Sequence, residues 1–229
     1  MCISKNVSVA TYVIGMAGAI AALATRQYDV GALALVVVQI QLLEVFLWDA
    51  LNNGHTAKNR LYTNLIHKAL ALQAIALGVG VAIQRATRSD PGTTTLTAQN
   101  FAPLIAGGIL FALIMVLEPY QNKASFVGGR KINYGFDGTY WYTAVCIFIV
   151  IMSWVYMRQI TAALVTLYIG ASLCIGLLVT TSSSAAVGSI WCLLAAIMAP
   201  FFIGINYYLR KKEDDAEKAL QNPAEQQLA

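Results

Sequence analysis

Residues 30–51 read VGALALVVVQIQLLEVFLWDAL, and this stretch decides the class of fold. A helix needs about 20 predominantly apolar residues to cross the hydrocarbon core of a bilayer. Here Glu44 is the only charge before Asp49, near the end of the run. Gln41, Glu44 and Trp48 are spaced three and four apart, so on a helix they form one stripe. A charged group inside a span costs at least a few kcal/mol, so such residues face the bundle interior and find a partner. Glu44 is therefore expected to keep its proton or to pair with His67 or Lys68 one helix away. Two readings stand side by side: an ion- or proton-handling carboxylate lining a polar cavity, and a hydrogen-bonded Glu that only fixes helix packing.

Working outward, six further stretches of similar character follow the same rule: 7–25, 62–83, 101–117, 140–157, 160–180 and 185–209. Backbone polar groups in lipid must be satisfied within the segment, so each is expected to be helical. The composition agrees. Hydrophobic residues make up 58% of the 229 and charged residues 11%, against about 25% charged in a soluble domain; mean hydropathy is +0.63. A water-soluble chain could not cover itself with so little charge. The expectation is an all-α polytopic membrane bundle of seven transmembrane helices over residues 1–212, followed by a polar, mobile tail over 213–229. The net charge of +4 is too small and too scattered to imply nucleic acid. The first run, with Lys5 ahead of it and Ala22-Leu23-Ala24 at its end, also resembles a secretion signal; its length favours a retained helix.

With seven spans, Lys5, Lys58, Arg60, Lys123, Arg130 and Lys131 share one side. Arg26, Arg85, Arg88, Arg158, Arg210, Lys211 and Lys212 share the other. Positive flanks favour the cytoplasm, which puts the amino terminus outside and the carboxyl terminus in the cytoplasm. At 1.5 Å rise per residue, Cys2, Ser4, Glu44, His67, Lys68, Glu118, Tyr140–Tyr142, Trp191 and Cys192 all fall in the leaflet on the amino-terminal side, and the opposite half reads as plain. Lys68 is close enough to its helix start for its stem to snorkel to the headgroups. Gly15 with Ala19, Gly18 with Ala22, and Gly107-Gly108 are small residues that let helices approach closely. Pro103 is expected in a first helical turn and Pro200 at a kink in the last span.

Several chemistries are excluded or weakened. The seventh span has no lysine for a retinal Schiff base before Lys211, and two histidines cannot build a three-histidine zinc site. No HExxH, potassium filter or Walker-type phosphate loop occurs. Cys2, Cys146, Cys174 and Cys192 form no CxxC pair; Cys2, His67 and Cys192 remain the candidates for a soft metal because their depths match. No cofactor is expected.

Three short motifs occur in order: Met1-Cys2-Ile3-Ser4, then Gln41-Leu42-Leu43-Glu44-Val45-Phe46-Leu47-Trp48, then Trp191-Cys192. In these the chain resembles a family of small multipass proteins of unknown function from bacteria and large DNA viruses. That family opens with Met-Cys-aromatic-Ser and carries Gln-x-x-Glu-x-x-x-Trp in the second span and Trp-Cys in the last. Ile3 departs from the pattern, and the middle of the chain offers only hydropathy. The resemblance implies a seven-helix membrane protein and no particular activity. Together these features lead to a transporter, channel or sensor for a small solute or ion, with a pocket formed by Gln41, Glu44, Trp48, His67, Lys68 and Trp191. The alternatives are a non-catalytic structural or interaction protein of a cellular or viral membrane, and an enzyme using Cys2 or a bound metal.

Overall fold

In the computed structural model, the described residues are 4–88, 98–117, 124–128, 131–133, 139–181, 200–216 and 219. They form helices α1 (Lys5–Ala24), α2 (Tyr28–Asn52), α3 (Thr56–Arg88), α4 (Ala98–Leu117), α5 (Thr139–Tyr156) and α6 (Gln159–Thr181), with α7 over 200–216. Among the described residues, three helices, Lys5–Ala24, Tyr28–Asn52 and Thr56–Thr87, are long and apolar enough to cross a membrane, and Phe101–Leu117 of α4, Thr143–Tyr156 of α5 and Gln159–Ala171 of α6 are shorter apolar stretches. The helical class and the positions of α1 to α6 follow the hydropathy, whereas of the seventh expected stretch, 185–209, only 200–209 falls in the described residues, within α7. Pro103 differs from expectation: it lies inside α4, because the helix starts at Ala98. Pro200 is the first described residue of α7, so the kink expected there lies outside the described residues.

Helix ends follow backbone chemistry. After α2, His55 N–H bonds to Ala50 O at 2.8 Å and Gly54 N–H to Leu51 O at 3.3 Å. This is the Schellman closure, and it needs a left-handed residue; Gly54 supplies it at φ 67°. The same closure ends α1, with Gln27 N–H on Ala22 O at 2.8 Å and Arg26 N–H on Leu23 O at 3.0 Å. There Arg26 takes φ 57°, a conformation that a side chain with a Cβ adopts at a cost.

α3 is the hub, packing against α2, α4 and α5. Its 33 residues extend about 50 Å at 1.5 Å each, well beyond a hydrocarbon core of about 30 Å. Both polar ends, which hydropathy trims away, remain helical. Burial is inverted relative to a soluble protein. On α4, Ile105, Ile109, Leu113 and Val116 form an outward stripe, with Val116 73% exposed, while glutamines, a glutamate and an arginine lie inside. The apolar core itself centres on Leu77, Ile114, Val145 and Ile149 of α3, α4 and α5.

Glycines set the closest crossings. A Cβ on Gly15 would lie 2.7 Å from Val38 Cγ2, and one on Gly18 would lie 3.0 Å from Pro200 Cγ. Where α3 meets α4, a Cβ on Gly78 would come within 2.5 Å of Leu104 Cα, and one on Gly107 within 2.5 Å of Ala74 O. Gly108, expected to share this role, has nothing within 4 Å of its Cβ position. Gly107→Ala should therefore force two backbones apart and cost about 1–3 kcal/mol. Gly108→Ala should be neutral or stabilise by up to about 1 kcal/mol through helix propensity. Thermal unfolding of the two detergent-solubilised variants, measured side by side, checks the assignment; equal midpoints would remove it.

Part of the connection from α4 to α5, expected as a water-facing loop, is a pair of short strands. Strands β1 (Phe126–Gly128) and β2 (Lys131–Asn133) pair antiparallel, with Val127 opposite Ile132. The boundary expected after Lys212 also shifts, because α7 continues through residue 216. Glu213 and Asp214 bridge to Arg158 there, so these first residues of the expected tail are anchored.

Candidate functional site

The stripe on α2 is buried. Glu44 is 1% exposed, and Gln41 and Trp48 are almost as enclosed. Against it, α1 presents Ser8 and Thr11, both buried, one helical turn apart. Thr11 Oγ1 lies 2.9 Å from Gln41 Oε1 and donates to it, tying α1 to α2. From α3, His67 is buried on the same side of the molecule. Counted from the Gly54 turn, Glu44 lies about 15 Å along α2 and His67 about 20 Å along α3, so the two are within about a turn of one depth. Leu47, Trp48 and Ile66 pack together beside them. Among the described residues, Ser8 Oγ and Trp48 Nε1 are buried with no hydrogen-bond partner.

Above His67 on α3, Thr63 and Asn59 repeat at four-residue spacing and are buried as well. They hold the α4–α5 connection. Asn59 Nδ2 donates to Ser125 O at 2.8 Å, Ser125 N–H donates to Asn59 Oδ1 at 2.9 Å, and the Thr63 and Ser125 hydroxyls are 2.7 Å apart. A polar seam thus descends α3 from the connecting loop to the depth of Glu44. Asn59→Ala should lower stability by about 1–3 kcal/mol, since it leaves buried backbone groups of Ser125 without their partner. Urea unfolding of the detergent-solubilised protein measures it; an unchanged midpoint would show that the clip is incidental.

The other expected residues divide. Lys68 is exposed and does not join the buried set, because the position after His67 turns about 100° away on the helix. Ser4 caps α1, its Oγ accepting from Val7 N–H at 3.3 Å. Cys2, Glu118, Trp191 and Cys192, and the side chains of Tyr140–Tyr142, lie outside the described residues. Among the described residues no group of three His, Cys, Asp or Glu side chains could hold a metal.

The opposite end of the bundle is not plain; the structure corrects that expectation. Arg210 of α7 is buried and donates Nη2 to Asp29 Oδ2 at 2.7 Å. Its Nε and Nη2 both reach Thr161 Oγ1, at 3.0 and 2.8 Å. Thr161 donates to Asn206 Oδ1 at 2.8 Å, and Asn206 Nδ2 donates to Gln27 Oε1 at 2.6 Å. Gln27 Nε2 completes the chain on Ile203 O at 3.3 Å. Gln84 Oε1 accepts from Tyr28 N–H at 2.8 Å. Gln27, Asp29, Gln84, Thr161, Ile203, Asn206 and Arg210 are all buried, and Tyr28 is partly buried. Outside it, Arg158 joins Glu213 at 3.0 Å and also Asp214. Partial burial works against the charge on Arg158, but Asp214 and Glu213 outweigh it and hold the guanidinium above its ordinary pKa.

Spacing could have revealed part of this. Asn59, Thr63 and His67 fall four apart on α3, as do Asn206 and Arg210 on α7. Asp29 gave no such signal, because its partner is 181 positions away. No protein-family model, curated protein or solved structure matches the chain.

Proposed function

We propose that this chain is a seven-span integral membrane protein that moves or senses a small solute or ion, with Glu44 as its titratable centre. One observation carries the reading: an almost fully enclosed carboxylate at the depth of a polar seam that leads through His67, Thr63 and Asn59 to the α4–α5 connection. Intramembrane ionisable groups are expensive, and they mark ion or substrate pathways by default. Gln41 and Thr11 fix the α1–α2 contact beside the carboxylate, while Ser8 Oγ and Trp48 Nε1 offer polar atoms toward the interior. The seven-span arrangement, an amino terminus outside the cell and kinship with the small bacterial and viral multipass family belong to the same proposal. They rest on the hydropathy, the flanking cations and the three motifs.

The test is a flux measurement. Full-length protein reconstituted into liposomes enclosing a pH-sensitive dye is challenged with a pH step, under an imposed potential, in the presence of alkali cations or small organic acids and amines. Proton movement above that of protein-free liposomes, dependent on one of these solutes, is the expected result. Flux no greater than the blank across the whole panel, with no solute altering the protein's thermal stability, would overturn the reading.

A further inference from the structure

At the end of the bundle away from Glu44, a cavity of about 270 Å³ opens between the start of α2, the end of α3 and the α5–α6 turn. Asp29, Gln84, Arg85, Tyr156 and Arg158 line it. Its walls carry two guanidinium groups and one carboxylate. The carboxylate is committed: Asp29 takes Arg210 Nη2 at 2.7 Å on one oxygen and Val30 N–H at 2.9 Å on the other. Arg85 is oriented by the wall itself, with its guanidinium carbon 4.8 Å from the Tyr156 ring centroid and Nη2 donating to Tyr156 O at 3.4 Å. A guanidinium carries its N–H donors in a fixed planar fork, so these contacts set the plane in which Arg85 presents them.

Arg158, on the other wall, donates to Glu213 Oε2 at 3.0 Å and to Asp214 Oδ1. Both carboxylates are nearly half exposed, at 43% and 46%. Exposed pairs of this kind contribute about 0–1 kcal/mol, so an anion arriving from water can displace them. Two guanidinium forks facing one space match the oxygens of a phosphate better than a single point charge does. The space holds a phosphate with several waters, at about 30 Å³ per water. It also lies where α3 and α5 end and α2 begins, the level at which headgroup phosphates meet helices that span a bilayer.

We propose that this cavity binds a phosphate group, free or as the headgroup of an anionic phospholipid. Arg85 and Arg158 are its ligands, and the Glu213 and Asp214 carboxylates are built-in competitors for Arg158. The site is separate from the Glu44 layer and does not depend on it.

Full-length protein in a neutral detergent is titrated in two arms at constant ionic strength, with thermal unfolding as the readout. One arm adds inorganic phosphate against chloride; the other adds phosphatidylglycerol against phosphatidylcholine. A saturable rise in melting temperature in either arm is expected. Response to both means free phosphate suffices, and response to the lipid alone assigns the headgroup. Arg85→Gln should weaken the responding ligand at least tenfold. The double variant Glu213→Gln with Asp214→Asn should tighten it several-fold, because the internal competitors are gone. No response of folded wild-type protein in either arm overturns the proposal, as does equal affinity in Arg85→Gln. If Arg85→Gln does not fold, the double variant decides: unchanged or weaker affinity overturns the proposal, and tighter affinity upholds it.

Discussion

Arg210→Met should destabilise the protein by about 3–5 kcal/mol, the cost of removing one partner from a buried ion pair and leaving the other charge enclosed. In the variant, Asp29 keeps the Val30 N–H as its one partner among the described residues, and Thr161 loses both guanidinium contacts. Against a total stability of about 5–15 kcal/mol, that is enough to lower the melting temperature sharply or to prevent purification of folded protein. The loss comes from the abandoned carboxylate rather than from the pair's own attraction, so a second substitution should reverse it. Asp29→Leu combined with Arg210→Met should recover most of the lost stability, because apolar replacements of buried pairs are often neutral or better. Thermal unfolding of wild type, single and double variants decides this. A double variant no more stable than Arg210→Met would show that the guanidinium acts through Thr161 and the Asn206–Gln27 chain rather than through Asp29.

Glu44→Gln should abolish solute-dependent proton flux while leaving the melting temperature within a few degrees of wild type. The amide keeps the shape and much of the hydrogen-bonding capacity of a carboxyl group but cannot take up or release a proton at any accessible pH. If Glu44 carries the transported charge, flux falls to the protein-free baseline. If Glu44 only locks α2 into the bundle, the informative variant is Glu44→Ala: it would lower stability by about 1–3 kcal/mol by stranding a buried polar neighbour, and Glu44→Gln would retain flux. Both variants belong in the same liposome assay, with unfolding midpoints measured on the same preparations. Wild-type flux in a folded Glu44→Gln protein removes this residue from the mechanism.

Much of the amino-terminal layer was legible in the chain because its signal is local. Gln41, Glu44 and Trp48 repeat at helical spacing inside an apolar run, and all three are buried. His67 was legible for the same reason, as a titratable residue two turns inside a span. Lys68 was read both as a pocket residue and as a side chain snorkelling to the headgroups, because depth along an axis says nothing about direction around it; one residue further turns the side chain outward. Ser125 was missed because a lone serine in a polar connection carries no pattern, and its significance lies in Asn59 and Thr63, more than sixty positions earlier.

What the sequence determined by itself is the helical class: stretches this apolar with so few charges are suited to lipid, and in lipid each crossing must be a helix because no water is there to satisfy the backbone. The positions of α1 to α6 follow, since periodicity and hydropathy are properties of neighbours in the chain. Only the tertiary structure decided which charges are buried. Asp29 sits in the first turn of α2 and Arg210 just past the apolar run of the last expected span, where a sequence reads as solvated, and only the packing of α7 against the α1–α2 turn brings them within 2.7 Å. In the same way, only the packing of α4 against α3 distinguishes Gly107, which has no room for a Cβ, from Gly108, which has open space. A contact between distant segments depends on the rotation of each helix about its own axis, and that rotation is set by the fit of whole helices, not by any short stretch of residues.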